Sequence, residues 1–483
     1  MYYAAKIGKA MKALIIAAGK GERLRQFEGD NPKPLFKVAG IPLIERAIIT
    51  AKKAGITEFV VVTGYQGEKL KNVLSHRQQK LGVRIEFISN PDWEKANGHS
   101  VLKAKGFLKE DFILLMSDHI FDYRIIQSFL RSGPGEGEVS LAVDLRIQEV
   151  FDLEDATKVK TSNGDILEIG KSLTEYDAID TGIFYCTTGI FTALEQACVE
   201  GKGSLSEAIG ILASQGKAKT FRIGNHFWQD VDTPATLKQA EKILFLSVRK
   251  ETDGFFSRHF NRKVSGFISS LLIKTPLTAN QITWSALVIG LLTGFLVSKG
   301  TYWDVAVAGL LFQFASIYDG CDGEISKLKF SNSKFGEWLD TICDNITYLA
   351  FLVGVILGAH HQGFALAVPF GIMTLFGVGM TLASMYIYLL RYTNSGSLVT
   401  VQKELTHDMN ATGQGSIRIL SKLKFVMKRD FFALFFMVLC LLNRLDVILV
   451  LAALGSNITW IVFLLMKREF AVAENELSHD GQI

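Results

Sequence analysis

Four aspartates interrupt a long apolar region in the second half of this chain. They lie in the stretch 318–345, which reads YDGCDGEISKLKFSNSKFGEWLDTICDN. Asp319 and Asp322 are three residues apart, and Asp340 and Asp344 are four apart. On helices both spacings place the two members on one face, so a helical hairpin would gather all four carboxylates. Clustered carboxylates beside hydrocarbon repel one another and need cations to neutralise them.

These oxygen ligands predict a divalent metal site. Carboxylates favour Mg²⁺, Mn²⁺ or Ca²⁺ over zinc, and we expect Mg²⁺, with Mn²⁺ as the alternative. Acidic residues that merely cap membrane helices are the other explanation. The flanking segments are nearly free of charge, which argues against that explanation.

Apolar segments on both sides of this stretch predict an all-α membrane domain of six spans over residues 282–483. The segments run roughly over 282–299, 303–318, 341–359, 364–390, 431–443 and 446–466. Several are long enough to cross ~30 Å of hydrocarbon. Hydrophobic residues make up 48% of the chain, which is high for a purely soluble protein.

Basic residues predict how this domain is oriented. They are concentrated in the loops 319–340 and 391–429 and are sparse in the other loops. By the positive-inside rule these loops face the cytoplasm, and so do the first half of the chain and the aspartate cluster. Within the linker 248–281, aromatic and basic residues interleave over 255–273. This pattern predicts an amphipathic helix on the surface of the cell membrane, with a soluble linker helix as the alternative.

Residues 11–247 predict a separate α/β domain after a short extension, residues 1–10. Apolar strands alternate with helical stretches, which is typical of a Rossmann-like, mostly parallel sheet with helices on both faces. The first predicted strand begins at residue 12. The next three cover residues 58–64, 83–89 and 111–118.

A glycine-rich turn follows the first of these strands. Ala18, Gly19 and Gly21 would present backbone N–H groups to phosphates. Arg23 and Lys33 would supply cations for a triphosphate. The pattern is neither a Walker loop nor a full dinucleotide fingerprint. Solvated charges on an ordinary strand–turn–helix unit are the alternative.

The opening pattern G-x-G-x-R-L, followed by P-K-P-L, resembles the nucleoside-triphosphate sugar-phosphate nucleotidyltransferases. In that family a sugar phosphate attacks the α-phosphorus of an NTP and pyrophosphate leaves. The resemblance implies that Asn97 and Gly98 bind the base, here that of CTP. It also implies that Asp118 holds the metal together with Asp232, or alternatively with Asp230.

Further residues of this half are expected to bind phosphates and the acceptor. By the same resemblance, Arg23 and Lys33 stabilise charge on the phosphates during catalysis. Lys171 is a candidate ligand for the acceptor's phosphate, and Asp180 for its hydroxyl groups. A solvated hairpin is the alternative for the last two.

The aspartate stretch resembles the signature of the CDP-alcohol phosphatidyltransferase family, D-x2-D-G-x2-A-R-x8-G-x3-D-x3-D. Gly323 and Gly336 fall in register with the four aspartates, while Ser326-Lys327 replaces Ala-Arg. The resemblance implies two divalent metals on the aspartates, with Asp344 as general base and Gly323 beside the cytidine. It also implies a dimer through the membrane domain.

Four basic residues are candidates to hold the phosphate of the acceptor in the second half. They are Arg262, Lys263, Lys327 and Arg391. Snorkelling to the membrane surface is the alternative. The string T-P-x-x-x-N-x-I-T at 275–283 also resembles this family, and we expect the Thr283 hydroxyl to cap the first span.

Together, a maker of activated nucleotides precedes a user of CDP-alcohols. The pairing resembles a family of bifunctional enzymes of osmolyte synthesis in heat-adapted prokaryotes. It implies that CTP and inositol 1-phosphate give CDP-inositol, which a second inositol 1-phosphate converts to a phosphodiester and CMP. A phospholipid synthase joined to a cytidylyltransferase for another small phosphorylated alcohol is the alternative. The net charge of +4 does not suggest nucleic acid, and the five cysteines lack zinc spacing.

Overall fold

The computed structural model describes residues 11–24, 30–248, 261–392 and 429–480. It divides into two compact units, Met1–Ser247 and Val248–Ile483. The predicted extension 1–10, the start of the predicted amphipathic helix at 255–260, and most of the basic loop 391–429 lie outside the described residues. The predicted domain bounds of 11–247, 248–281 and 282–483 remain predictions.

The first unit is an α/β structure. Its strands are β1 (Lys12–Ala17), β2 (Lys37–Val38), β3 (Ile41–Pro42), β4 (Glu58–Thr63), β5 (Arg84–Ser89), β6 (Phe112–Met116), β7 (His119–Phe121), β8 (Val139–Asp144), β9 (Lys158–Ser162), β10 (Asp165–Gly170), β11 (Ala178–Cys186), β12 (Ala218–Arg222) and β13 (Trp228–Asp230). Its helices are α1 (Leu43–Lys53), α2 (Gly67–Leu81), α3 (Asn97–Lys103), α4 (Tyr123–Ser132), α5 (Gly189–Val199), α6 (Leu205–Ser214) and α7 (Pro234–Ser247). The four strands predicted first are confirmed as β1, β4, β5 and β6.

Nine of these strands form one sheet in the order β5-β4-β1-β6-β11-β8-β12-β10-β9. The strands β5, β4, β1 and β6 are parallel, as expected where helices connect them. The strand β11 runs antiparallel to both β6 and β8, and β9 and β10 form a hairpin. Asn163 and Gly164 close that hairpin with φ values of 53° and 91°. The strands β8 and β12 also pair in parallel. The sheet is therefore mixed, and the prediction of a mostly parallel sheet is not confirmed.

Both faces of the sheet are covered. Leu14 and Ile15, which are neighbours on β1, belong to two different buried apolar clusters. Val60 and Val61 on β4 divide in the same way, because successive side chains of a strand point to opposite faces. Apolar packing on both faces thus holds the sheet in place. The polar residues at its strand ends are therefore held by a rigid element.

The second unit is helical. Its described helices are α8 (Arg262–Leu272), α9 (Ala279–Ser298), α10 (Tyr302–Leu328), α11 (Lys334–His361), α12 (Ala367–Tyr392), α13 (Arg429–Leu441) and α14 (Leu445–Asp480). A helix lies over each of the six predicted apolar segments. Within the described residues, three stretches are long and apolar enough to cross a membrane, namely Ala279–Ser298, Lys334–His361 and Ala367–Ile387. The predicted number of six spans is therefore not confirmed.

The helices α9 and α11 pack closely through paired G-x-x-x-G patterns. Gly290 and Gly294 lie on α9, and Gly354 and Gly358 lie on α11. A Cβ added to Gly354 would overlap the carbonyl oxygen of Gly294, and one added to Gly358 would overlap that of Val297. Backbones approach this closely only where side chains are absent. This packing joins α9, which contains the end of the T-P string, to the helix that carries the second pair of aspartates.

Candidate active sites

The first candidate site is built around the side chain of Lys33. Its ammonium donates a hydrogen bond to Asp118 Oδ2 at 2.6 Å and another to Asp232 Oδ1. Burial would lower the pKa of Lys33, but the two carboxylates raise it above its ordinary value. The pKa of Asp118, which burial would raise, is held well below its usual range by Lys33 and His119. Lys33 and Asp118 are therefore both charged at neutral pH.

Local sequence explains how Lys33 reaches this position. It begins a short 3-10 turn, Lys33–Leu35, and stands between Pro32 and Pro34, whose φ angles are fixed by their rings. Gly21 lies directly over the lysine stem, with φ +65°, and a Cβ on it would overlap Lys33 Cβ. The glycine-rich turn thus makes room for the lysine.

Of the two alternative aspartates, Asp232 shares the Lys33 ammonium with Asp118. Asp230 lies two residues earlier, on β13, directly opposite His119 on β7. Burial raises the pKa of Asp230, and the nearby Asp232 raises it further. The geometry therefore favours Asp232 over Asp230 as the partner of Asp118.

A second chain of charges extends from this cluster. Arg23 places Nη2 at 2.7 Å from Asp232 Oδ2 and Nη1 at 2.8 Å from Asp155 Oδ2. Lys171 Nζ lies 2.6 Å from the other oxygen of Asp155. The structure therefore brings Arg23, Lys33, Asp232 and Lys171 together, as the prediction of one shared site requires. The sequence analysis missed Asp155, which lies in a loop with no recognisable motif.

The residues expected at the nucleotide have different surroundings. Ala18 is buried and its carbonyl oxygen accepts a hydrogen bond from Tyr65 N at 3.0 Å, while Gly19 is exposed with open space beside it. Asn97 is exposed, and its Oδ1 accepts a hydrogen bond from Leu205 N at 2.8 Å. Gly98 is buried against a backbone carbonyl that a Cβ would overlap. Asn97 and Gly98 thus fix α3 to the start of α6.

Asp180 lies on β11 and is partly exposed. Gly182 N donates a hydrogen bond to its Oδ1 at 2.7 Å. Desolvation raises the pKa of Asp180 to about 6, although this hydrogen bond and His119 act in the opposite direction. The carboxylate is therefore poised to change charge close to neutral pH.

The second candidate site lies where α10 and α11 approach each other. Asp319, Asp340 and Asp344 each offer one carboxylate oxygen, and these oxygens all lie within 4.8 Å of one another. Such a set of converging oxygens fits the coordination of a divalent cation. The predicted fourth member, Asp322, is buried and accepts a hydrogen bond from Thr283 Oγ1. A Cβ on Gly323 would meet nothing within 4 Å, so space is open there.

The prediction that Thr283 caps the first span is wrong. The N-cap of α9 is Thr278, whose hydroxyl accepts from Gln281 N while the Gln281 side chain bonds back to the backbone N–H of Thr278. Thr283 lies inside the helix, one turn further on. Its hydroxyl is directed at Asp322, so the T-P string and the aspartate signature meet in space.

The basic residues expected at the acceptor phosphate differ in their contacts. Arg262 Nη1 lies 2.8 Å from Oε1 of Glu324, a buried residue that the sequence analysis did not single out. Lys263 is exposed, and Lys327 Nζ donates to the carbonyl oxygen of Val248 at 3.2 Å. The side chain of Arg391 lies outside the described part of the structure. Arg262, Lys263 and Lys327, the three of these cations whose side chains are described, thus have three different surroundings.

Comparison with known proteins gives one match in each half of the chain. Residues 13–149 match the family model of the MobA-like NTP transferase domain. Residues 276–465 match that of CDP-alcohol phosphatidyltransferase. The first match contains Lys33 and Asp118, and the second contains all four aspartates of the signature.

Curated relatives match across both halves. A bifunctional IPC transferase and DIPP synthase of Aquifex aeolicus is 37% identical over 343 residues, which are 70% of this chain and 76% of that protein. The protein of the same name from Thermococcus kodakarensis is 36% identical over 344 residues, or 71% and 74% of the two chains. Among solved structures, the inositol-1-phosphate CTP transferase from T. maritima is 28% identical, covers 49% of this chain and 97% of its own, and has a TM-score of 0.44.

Proposed function

This chain belongs to the family of bifunctional IPC transferases and DIPP synthases, and from that premise we propose that it catalyses two consecutive transfer reactions. In the first, CTP and myo-inositol 1-phosphate give CDP-inositol and pyrophosphate. In the second, CDP-inositol and another inositol 1-phosphate give di-myo-inositol phosphate phosphate and CMP. The two acidic sites, one in each unit, are the observation that carries this proposal.

Both sites suit a divalent cation, for which we propose Mg²⁺, with Mn²⁺ as the alternative. Asp118 and Asp232 converge on a single point that the Lys33 ammonium, itself a cation, occupies. Asp319, Asp340 and Asp344 converge in the same manner, and Asp322 lies beside them on α10. A bound metal would neutralise phosphate charge at each site.

In the first reaction, an oxygen of the inositol phosphate attacks the α-phosphorus of CTP, and the bond to pyrophosphate breaks. The ammonium of Lys33 and the guanidinium of Arg23 lie beside the aspartates that would hold the metal. They therefore neutralise the charge of a triphosphate bound at that metal. Lys171 binds the phosphate of the acceptor, and Asp180 accepts a hydrogen bond from an inositol hydroxyl. Ala18, Gly19 and Gly21 contact CTP through their backbone, and Asn97 and Gly98 contact its nucleobase.

In the second reaction, a hydroxyl of the acceptor attacks the phosphorus next to inositol in CDP-inositol, and CMP leaves. Asp344 takes the proton of that hydroxyl as general base. The open space at Gly323 admits the cytidine side of the donor. Arg262, Lys263, Lys327 and Arg391 remain the candidates for the acceptor's phosphate.

The chain is proposed to lie in the cell membrane with both sites on the cytoplasmic side. The helix α8 supports a membrane interface, because Ser265 and Ser269 on one face are buried while Phe267 and Leu271 are 65% and 54% exposed. A helix with a buried polar face and an exposed apolar face suits the headgroup region of a bilayer. The predicted homodimer through the membrane domain remains a proposal from family resemblance.

Phosphorus NMR of the purified protein in detergent tests the proposed function. With CTP, Mg²⁺ and inositol 1-phosphate, resonances of a diphosphate diester and pyrophosphate should appear first, followed by a phosphodiester and CMP. Phosphocholine and diacylglycerol serve as competing acceptors. Preference for phosphocholine in the first step, or for the lipid in the second, would favour the alternative of a phospholipid synthase.

A further inference from the structure

We propose that His119 is a positioning residue for Asp118 in the first reaction, an inference that rests on the proposed function. His119 Nδ1 lies 2.8 Å from Asp118 Oδ1, while Asp118 Oδ2 accepts from Lys33 at 2.6 Å. Because an ionised carboxylate only accepts hydrogen bonds, Nδ1 is the nitrogen that carries the hydrogen. The imidazole thereby directs one oxygen of Asp118 away from itself, towards the point shared with Asp232.

The imidazole ring is itself tightly held. It stacks on the indole of Trp228 with ring centroids 6.3 Å apart and an angle of 19° between the planes. Gly182 has φ +73°, and a Cβ added there would lie 2.8 Å from both Nε2 and Cδ2 of His119. A residue other than glycine at 182 would therefore have to push the ring away from Asp118.

The position of His119 on β7 indicates what its contact with Asp118 does. On β7 it lies directly opposite Asp230 of β13, the strand that leads into Asp232. The His119 side chain is only 15% exposed, so it has little surface to offer a substrate. It therefore acts through Asp118, by fixing a metal ligand beside the strand that delivers the other one.

Partners of this kind orient the residues that bind a metal, and their loss typically lowers metal affinity by about 10–100-fold. Replacing His119 with Ala removes both the donor and the ring. His119→Asn keeps an amide N–H close to the position of Nδ1. Gly182→Ala keeps the histidine at position 119 but pushes its ring away from Asp118. His76→Asn, which changes an exposed histidine on α2, is the matched control.

Two measurements are made on the full-length protein in detergent. The first is the Mg²⁺ concentration that gives half the maximal rate of CDP-inositol formation. The second is Mn²⁺ binding, read from the EPR signal of the free ion in a background that carries Asp319→Asn and Asp340→Asn to weaken the other site. The rate of the second reaction with supplied CDP-inositol, measured without the background changes, shows that the second unit of each variant is folded.

We expect His119→Ala and Gly182→Ala to raise two quantities by about tenfold or more. They are the Mg²⁺ concentration that gives half the maximal rate and the Mn²⁺ concentration that half-saturates the site. His119→Asn should restore them to within about threefold of the parent, and His76→Asn should leave them unchanged. Equal metal dependence in His119→Ala and the parent would overturn the inference, and so would failure of His119→Asn to restore it. If the parent itself makes no CDP-inositol, the proposed function fails instead, and the Mn²⁺ titration still decides the role of His119.

Discussion

Thr283 on α9 donates a hydrogen bond from its hydroxyl to Asp322 Oδ2 on α10. The two residues are 39 positions apart, and each belongs to a different motif of the second unit. The contact fixes one carboxylate of the signature next to the cluster of Asp319, Asp340 and Asp344. The T-P string is therefore part of the site, beyond its role in starting a helix.

Thr283→Val should slow the second reaction and leave the first unchanged. Valine has the shape of threonine but cannot donate, and a hydrogen bond to a charged group is worth about 1.5–3 kcal/mol, or roughly 10–100-fold in rate if it is fully expressed there. Release of CMP from supplied CDP-inositol is the measurement. Thr283→Ser keeps the donor and should retain most of the rate. Equal rates for the valine and serine variants would contradict the assigned role.

Gly354→Leu should abolish the second reaction while CDP-inositol formation continues. A side chain at 354 would overlap the carbonyl oxygen of Gly294 and force α11 away from α9, which separates Asp340 and Asp344 from Asp319. Gly379→Leu on α12 is the control, because a Cβ there meets nothing within 4 Å. Both reactions are assayed separately on each variant. Loss of both reactions in both variants would point to general misfolding and refute this explanation.

Gly21→Ala should lower the rate of the first reaction by at least about tenfold. The added methyl overlaps the stem of Lys33, and the left-handed backbone of Gly21 adds strain. Gly55→Ala is the matched control, since Gly55 has φ +109° but open space around it. Pyrophosphate release from CTP reports the rate. A similar loss in both variants would show that backbone strain, rather than the lysine, is responsible.

The first unit should bind its acceptor, inositol 1-phosphate, more weakly below about pH 6. Asp180 has a folded pKa of about 6, above its ordinary value of 3.8, so it is protonated below pH 6 and ionised above it. Only the ionised form is a pure hydrogen-bond acceptor, and at pH 5 about one tenth of it remains. The KM for inositol 1-phosphate should therefore rise by about tenfold between pH 7.5 and pH 5.

The phosphate of the substrate also titrates in this range, so the comparison needs Asp180→Asn. This variant retains the contribution of the substrate and loses that of the carboxylate. Its KM should be high at pH 7.5 and change less with pH than that of the parent. Parallel KM profiles for the two proteins would exclude Asp180 as the titrating acceptor.

Much of this architecture could be predicted from sequence because it follows from local patterns. The run from Ala13 to Ala17 is apolar throughout, and its strand and following glycine turn appear as expected. The spacing of Asp340 and Asp344 likewise places both on one face of α11, since helical periodicity is a local rule. These features depend on residues close to each other in the chain.

The remaining features depend on contacts between distant segments. Asp155 joins Arg23 to Lys171 across more than a hundred residues, and no motif surrounds it. His119 follows the predicted Asp118 directly, but its role becomes visible only when β13 pairs with β7. The antiparallel position of β11 was hidden for the same reason, because it depends on pairing with the distant strands β6 and β8.

The most direct test of two separate sites acting in sequence uses two variants, Asp118→Asn and Asp344→Ala. Supplied with CTP, Mg²⁺ and inositol 1-phosphate, Asp344→Ala should accumulate CDP-inositol and release pyrophosphate without forming a phosphodiester. Asp118→Asn should form nothing from CTP, yet convert supplied CDP-inositol and inositol 1-phosphate to the phosphodiester and CMP. If Asp344→Ala proceeds to the phosphodiester, or if Asp118→Asn cannot use CDP-inositol, the assignment of one reaction to each unit is wrong.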